Sequence, residues 1–179
     1  MARTFAAQGR HLALCARRTD RPQTLREEPL AAHPGIRVSV RELDVNDHQQ
    51  VFDVFRAQGA GHLVAVSSMS AVRGLPRNLT TCAAGKAGLS ALAEGIRAEM
   101  TLTRTPIAVT TLRPGHIATD LSAGAARTPL MTSTEKGARA MVRAIERERP
   151  EAKVPARPWG PMGILMRHLP LRLVAEAGR

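Results

Sequence analysis

The side chains best suited to proton transfer are concentrated in one segment, VSSMSAVRGLPRNLTTCAAGKAGL, residues 66–89. Ser67 and Ser68 end an apolar run that is typical of a buried strand, and Cys82 precedes Lys86 by four residues. In a helix this spacing places the thiol one turn from the ammonium, which could make the thiol reactive. The serines should lie at the carboxyl end of their strand, where ligands bind in open α/β sheets.

Alternating strands and helices are predicted to position this segment. Short apolar runs predict strands within residues 11–17, 36–45, 61–68, 105–115 and 152–156. A first helix is predicted to end at Gly9, and a second to run through residues 48–58 after an N-cap at Asp44, Asn46 or Asp47. A third helix should start near residue 80, with a buried stripe of Leu89, Leu92, Ile96 and Met100. A fourth should begin at Ser133 or Thr134. The polar stretch 19–35 contains three prolines and predicts a loop with a short or broken helix. This order indicates an α/β fold with a mostly parallel sheet.

Length and composition predict a single domain over residues 1–179. The chain has 179 residues and is 44% hydrophobic, enough for one buried core. Residues 158–179 form an apolar C-terminal tail, which Pro158, Pro161 and Pro170 should break. Since no apolar run is long enough for a membrane span and the N-terminus lacks a signal-peptide core, we expect a cytoplasmic protein.

Charge and metal-ligand patterns argue against two other classes of function. The net charge is +11, but the arginines are spread along the whole chain and are interleaved with acidic residues. Such dispersion, with only four aromatic residues in the chain, does not favour a nucleic-acid partner. The six histidines and two cysteines form no closely spaced ligand pair, so we expect no metal site.

Five pieces of the sequence, in order, make the chain resemble the short-chain dehydrogenase/reductase family. They are LALCARR at 12–18, LDV at 43–45, GHLVAVSSMSAVRGLP at 61–76, CAAGKAG at 82–88 and RPGHIATD at 113–120. The third piece matches the family's serine-bearing strand and the fourth stands where the family has Tyr-x-x-x-Lys. The pieces together span nearly the whole chain.

The resemblance implies three catalytic positions. Ser68 matches the serine that positions the substrate oxygen, with Ser70 as a second choice, and Lys86 matches the lysine. Cys82 occupies the tyrosine position, although it follows Ser68 by fourteen residues, one more than is usual in the family. The chain contains no tyrosine that could replace the missing phenol. Cys82 is either a substitute acid or a small, partly buried residue with no catalytic role.

The resemblance also implies a cofactor, NADP, and a small-molecule carbonyl or alcohol substrate. Arg17 and Arg18 would pair with the 2′-phosphate that distinguishes NADP from NAD, or they are simply solvated arginines. Asp44 would meet the adenine, and Lys86 would hold the nicotinamide ribose. The last four cofactor-binding positions, which would border the nicotinamide carboxamide, are Pro114, Gly115, Ile117 and Thr119.

The chain lacks two parts of the family's Rossmann-like, doubly wound parallel sheet. The family's first strand and glycine-rich turn would precede residue 2, and several tens of residues would be missing between LDVNDHQQVFDVF and GHLVAVSS. Because these parts contain the central strands 1 and 4, we expect the remaining strands in the family's order 3-2-5-6-7. The chain is therefore interpreted as a truncated, internally deleted oxidoreductase.

With the phosphate-binding turn, central strands and phenol missing, we expect this oxidoreductase to have impaired or no activity. Two alternatives stay open. The chain could be a non-catalytic relic, or it could be an interaction subunit that joins a full-length relative or a second copy through the helices after residue 80.

Overall fold

The computed structural model describes residues 1–16, 20–43, 47, 50, 60–76, 79–118 and 130–177. The elements in chain order are α1 (Ala2–Ala7), β1 (Leu12–Ala16), α2 (Asp20–Ala32), β2 (Val38–Glu42), β3 (Gly61–Val66), a 3₁₀ helix (Met69–Val72), α3 (Leu79–Leu102), β4 (Ile107–Pro114), α4 (Thr134–Glu146), β5 (Glu151–Val154), α5 (Ala156–His168) and α6 (Leu171–Ala177). The alternation confirms the predicted α/β class. The chain divides into two compact units, Met1–Ala60 and Gly61–Arg179.

The first unit contains a two-stranded parallel sheet. β1 pairs with β2 from Leu12 opposite Val38 to Ala16 opposite Glu42. Residues Ala6, Ile36 and Val38 are buried together, and the partly buried Leu12, Leu14 and Leu30 pack against them. These two strands lie where the sequence predicted strands within residues 11–17 and 36–45, and their parallel pairing agrees with the predicted mostly parallel sheet.

The helix α2 is longer than the sequence predicted. It runs for thirteen residues with Pro29 inside it, whereas the prolines of residues 19–35 had suggested a loop with a short or broken helix. Pro22 is the third residue of α2, in the first turn, where a backbone N–H has no partner within the helix and its loss costs little. The prolines therefore do not make this helix short, contrary to the prediction.

The second unit is built on a three-stranded parallel sheet in the order β3-β4-β5. β3 pairs with β4 from Gly61 opposite Ile107 to Val66 opposite Leu112, and β4 pairs with β5 through Thr111 and Glu151. The central strand β4 has four consecutive buried residues, 109–112, as expected of a parallel strand covered on both faces. These three strands lie where the sequence predicted strands within residues 61–68, 105–115 and 152–156. The joining of both sheets in the order 3-2-5-6-7 stays a prediction, as does the single domain.

The long helix α3 packs on this sheet mainly through small side chains. Its buried residues are Ala83, Ser90, Ala93, Ile96 and Met100. Ile96 and Met100 confirm the predicted stripe, but Leu89 and Leu92 are only half-buried. Small side chains on the inner face allow the helix backbone to lie close to the strand ends, and this closeness matters for the site.

Arg97 ties α3 to the sheet through polar contacts. Its guanidinium donates hydrogen bonds to the carbonyl of Val109 at 3.2 Å, the hydroxyl of Thr111 at 3.2 Å and the carbonyl of Pro150 at 2.6 Å. The planar guanidinium can serve several acceptors at once because its donors point in fixed directions. Arg97 thus fixes α3 against β4 and against the start of β5.

The C-terminal tail is helical rather than broken at all three prolines. α5 continues through Pro161, and Pro170 separates α5 from α6. Arg157 has non-helical angles, so the regular part of α5 begins at Pro158 and Pro161 falls in its first turn. Among the described residues, no helix is both long enough and apolar enough to cross a lipid bilayer.

A half-buried histidine at the start of β3 gives the second unit a predicted pH dependence. His62 Nε2 lies 2.8 Å from the hydroxyl oxygen of the fully buried Thr110. Burial lowers the pKa of His62 below 6.5, while the carboxylate of Glu148 acts weakly in the opposite direction. As pH falls, the unfolded chain therefore binds a proton at this position before the folded chain does.

We expect the stabilisation associated with neutral His62 to be complete above pH 6.5 and to be lost progressively below it. Urea unfolding of the wild type and of His62→Gln between about pH 5 and 8 checks this. The glutamine variant should lose less stability on acidification than the wild type. His168→Gln, which alters an exposed histidine, is the control and should follow the wild-type slope. Equal slopes for wild type and His62→Gln would contradict the prediction.

Candidate active site

The two serines after β3 have different environments. Ser67 is 3% exposed, and its N–H continues the sheet by donating to the carbonyl of Leu112 at 2.8 Å. Ser68 is half-buried, and its hydroxyl oxygen accepts the N–H of Ser70 at 3.1 Å as the cap of the 3₁₀ helix. Because Ser68 acts as an acceptor there, its hydroxyl proton stays free to be donated elsewhere. The geometry of Ser68 is compatible with the role that the sequence predicted.

Lys86 reaches from α3 to the same strand end. Its ammonium donates a hydrogen bond of 2.8 Å to the carbonyl of Val66, the last residue of β3. Ser68 and the ammonium of Lys86 therefore both lie at the carboxyl end of this strand. In a second hydrogen bond, the hydroxyl of Ser67 donates to the backbone carbonyl of Lys86 at 2.8 Å.

Cys82 lies one helical turn before Lys86, and its side chain is exposed. The sequence had suggested a partly buried residue if Cys82 has no catalytic role, so the observed exposure is a correction. The neighbouring Ala83 is buried, and because successive helical residues point about 100° apart, Cys82 points away from that buried direction. An exposed position here has room for a larger side chain.

The turn after β4 holds three more of the predicted residues. Gly115 donates its N–H to the carbonyl of Val154 at 2.9 Å, and Pro114 and Ile117 beside it are half-buried. The indole of Trp159 covers Gly115 so closely that an added Cβ would lie 2.0 Å from the ring atom Cε2. Gly115 is thus required by a close approach, but in this structure the group that approaches is a tryptophan.

Trp159 is not one of the predicted site residues, and from the sequence it indicated only an apolar pocket, an interface or the core. It is 5% exposed, its ring meets that of His116 edge-on at 5.5 Å, and its Nε1 has no hydrogen-bond partner among the described residues. A lone tryptophan in an apolar tail carries no sequence signal that pairs it with a glycine 44 residues earlier. Only the folded arrangement of α5 and β4 shows the contact.

A second unpredicted contact fixes the loop after Ser68. The guanidinium of Arg73 donates to the carbonyls of Met166, at 3.1 Å, and of Leu169, at the end of α5. A cation at a helix C-terminus is favourable because the last carbonyls are unpaired and carry partial negative charge. No spacing in the sequence identifies Arg73, since it is one of many dispersed arginines.

Four predicted cofactor-binding residues lie outside the described residues. They are Arg17, Arg18, Asp44 and Thr119. One nearby expectation can be checked: the N–H of Gln50 donates to Asp47 Oδ1 at 3.1 Å, as expected if Asp47 is the N-cap among the three candidates.

Comparison with known proteins identifies the family. The described residues show parallel strands, two serines at a strand end and a lysine on the following helix. A family model described as short chain dehydrogenase matches residues 49–130. Uncharacterised oxidoreductases from two strains of Mycobacterium tuberculosis, CDC 1551 and H37Rv, are each 38% identical to this chain, over 97% of this chain and 89% of the relative. The chain belongs to the short-chain dehydrogenase/reductase family.

Solved structures agree with this fold. A 7β-hydroxysteroid dehydrogenase aligns with a TM-score of 0.69 and 15% identity, covering 99% of this chain and 90% of that one. A short-chain type dehydrogenase/reductase from Mycobacterium ulcerans gives a TM-score of 0.64 at 14% identity, over 85% and 81% of the two chains. A short-chain dehydrogenase from Sphingobium yanoikuyae, solved in complex with NADPH, gives 0.60 at 17% identity, over 98% and 93%. At such low identity these matches support the fold alone.

The alignment with the mycobacterial relatives contains many positions at which this chain has a gap. It extends over 228 positions, although this chain has only 179 residues, so roughly fifty positions at least have no residue in this chain. A difference of this size is what an internal deletion relative to these proteins would produce.

Proposed function

We propose that this chain derives from an NADP-dependent oxidoreductase for a small-molecule carbonyl or alcohol and that Cys82 impairs its activity. The observation that carries the proposal is the bond from Lys86 Nζ to the Val66 carbonyl, which holds an ammonium at the strand end where Ser68 follows. Lys86 and Ser68 are the residues that the resemblance to the family matches to its lysine and serine. The family membership supports an oxidoreductase, and the finer assignments are ours.

The residues of the second unit suit part of a dinucleotide. An ammonium carries three donors and Lys86 uses one on Val66, so two stay available for ribose hydroxyls. Pro114 ends β4 and Ile117 follows at the same end of the strand, the edge where nucleotides bind in open α/β sheets, whereas the indole of Trp159 covers Gly115. These features support a cofactor-binding role for Lys86 most directly.

The chemistry that this site lacks is proton donation. NADPH, when bound, supplies a hydride to a carbonyl carbon. The hydroxyl of Ser68 can hold the carbonyl oxygen, but an acid within hydrogen-bond reach must donate a proton as negative charge develops there. The sulfur of Cys82 lies only one bond beyond Cβ, much nearer to the helix than a phenol oxygen would be. We therefore propose that the thiol does not reach the oxygen and that turnover is slow.

The choice of NADP over NAD rests on Arg17 and Arg18. Two guanidinium groups after β1 would recognise a 2′-phosphate through paired, charge-assisted hydrogen bonds. Comparing NADPH with NADH in the titration below tests this choice, and equal affinity for both would contradict it.

A fluorescence titration with NADPH tests the cofactor proposal. We expect NADPH to bind the wild type saturably and to bind Lys86→Met with an affinity at least about tenfold lower, because hydrogen bonds to a charged group contribute more than neutral ones. Lys136→Met is the matched control, since Lys136 is an exposed lysine on α4. Its affinity should equal that of the wild type.

Two results would overturn the proposal. One is the absence of saturable NADPH binding to the folded wild type. The other is wild-type affinity in Lys86→Met, which would show that the ammonium at the end of β3 does not contact the nucleotide.

A further inference from the structure

Lys86 is attached at two points to two consecutive residues of the chain. Its ammonium donates to the carbonyl of Val66 at 2.8 Å, and its own backbone carbonyl accepts from the hydroxyl of Ser67 at 2.8 Å. Ser67 is itself fixed, because its N–H donates to Leu112 in the central strand β4. The sheet, Ser67 and both ends of Lys86 thus form one continuous set of hydrogen bonds.

Ser90 completes this set from one turn further along α3. Its hydroxyl lies 3.0 Å from the Lys86 carbonyl and 2.8 Å from the hydroxyl of Ser67. Both serines are buried, with 3% exposure for Ser67 and 8% for Ser90. Two buried hydroxyls therefore converge on one helix carbonyl.

Counting protons shows that the pair acts together. Each hydroxyl has one proton, so two protons serve three short contacts. Either Ser67 donates to the carbonyl and Ser90 donates to Ser67, or Ser90 donates to the carbonyl and Ser67 donates to Ser90. In both arrangements the Lys86 carbonyl receives a hydroxyl proton in addition to its bond within the helix, and no buried hydroxyl is left unpaired.

We infer that Ser67 and Ser90 are positioning residues, whose shared hydrogen bonds fix Lys86 so that its ammonium stays at the carboxyl end of β3. Ser90 alone could make a routine bond to the carbonyl one turn back. The additional bond from Ser67 is not routine, because Ser67 directly follows Val66, whose carbonyl accepts the hydrogen bond from the Lys86 ammonium. The small inner face of α3 makes this approach possible. The inference deepens the proposed function, and it assigns to Ser67 a role separate from that of Ser68.

The reactivity of lysine side chains offers a direct test, because the chain has only three lysines. Brief acetylation with acetic anhydride, followed by mass spectrometry of the digested protein, measures the labelling of Lys86, Lys136 and Lys153 separately. Lys136 is exposed, so its labelling is a reference for the overall extent of acetylation. Lys153 is half-buried in β5, so its labelling measures general opening of the second unit.

We expect Ser67→Ala to raise the labelling of Lys86 relative to Lys136 by about two- to tenfold, the range set by the loss of one hydrogen bond. Ser67→Thr keeps a hydroxyl and should restore the wild-type ratio. Thr101→Ala removes another α3 hydroxyl, one that donates to the carbonyl of Arg97 at 2.9 Å, and should leave Lys86 unchanged. Ser90→Ala should act in the same direction as Ser67→Ala.

Two outcomes would overturn the inference. If Ser67→Ala leaves the labelling of Lys86 unchanged, the hydroxyl pair does not position the lysine. If Lys86 and Lys153 become more reactive in parallel, Ser67 serves only the general stability of the unit. Adding NADPH to the wild type tests the proposed function separately from this inference. Protection of Lys86 from acetylation supports the cofactor site, and lack of protection counts against it. In either case, the comparison of Ser67→Ala with the wild type decides the positioning role.

Discussion

Replacing Gly115 by alanine is expected to lower the free energy of unfolding of the second unit by about 3 kcal/mol, at the upper end of the range for overpacked cores. The added Cβ would lie 2.0, 2.1 and 2.4 Å from the Trp159 atoms Cε2, Nε1 and Cδ2. The indole is 5% exposed and rigid, so it is not free to swing aside. Urea unfolding followed by circular dichroism measures the change.

Gly88→Ala is the matched control for this substitution. Gly88 lies on α3, and an added Cβ there would meet no atom within 4 Å. Since alanine is favoured over glycine inside a helix, Gly88→Ala should raise stability by about 0.5–1 kcal/mol. The two glycine-to-alanine changes should thus have opposite signs.

A double-mutant cycle assigns the loss to Trp159. In a Trp159→Leu background, which has its own cost from the lost ring, Gly115→Ala should add little further destabilisation. A Gly115→Ala protein as stable as the wild type would contradict the contact. A loss of equal size with and without the tryptophan would place the cause elsewhere in the turn.

The role of this glycine shows what the sequence could and could not predict. The resemblance implied that Gly115 of RPGHIATD borders a nicotinamide carboxamide, and this stays a prediction. The contact that the structure shows at Gly115 is the one with the indole of Trp159. A contact between residues 44 positions apart depends on how α5 returns to the sheet, and no local pattern carries that information.

The strand-end placement of Lys86 was predictable for a different reason. Its strand and helix are read from local periodicity, and parallel strands place their carboxyl ends at one edge of a sheet. The Ser67–Ser90 pair was not predicted because both residues looked like ordinary positions of a strand end and a helix. Their meeting depends on small residues letting α3 approach the sheet, which is a property of packing.

Replacing Cys82 by tyrosine is expected to raise NADPH-dependent reduction of a ketone by about 10²- to 10⁴-fold, the usual contribution of a well-placed general acid. The exposed position leaves room for the larger side chain, and α3 already holds Lys86 one turn away. A phenol oxygen would lie several ångströms farther from the helix than the thiol does. The loss of NADPH absorbance in the presence of a panel of small ketones measures the rate.

Cys82→Phe separates proton donation from added bulk. It carries the same ring as tyrosine without the hydroxyl, so it should stay as slow as the wild type. If both variants stay slow while NADPH still binds, the acid is not what limits turnover. The roughly fifty alignment positions without a residue in this chain would then become the stronger explanation, because no single side chain restores a missing part of the sheet. If both variants become faster to the same extent, the ring improves packing around Lys86 and the phenolic proton has no part in the reaction.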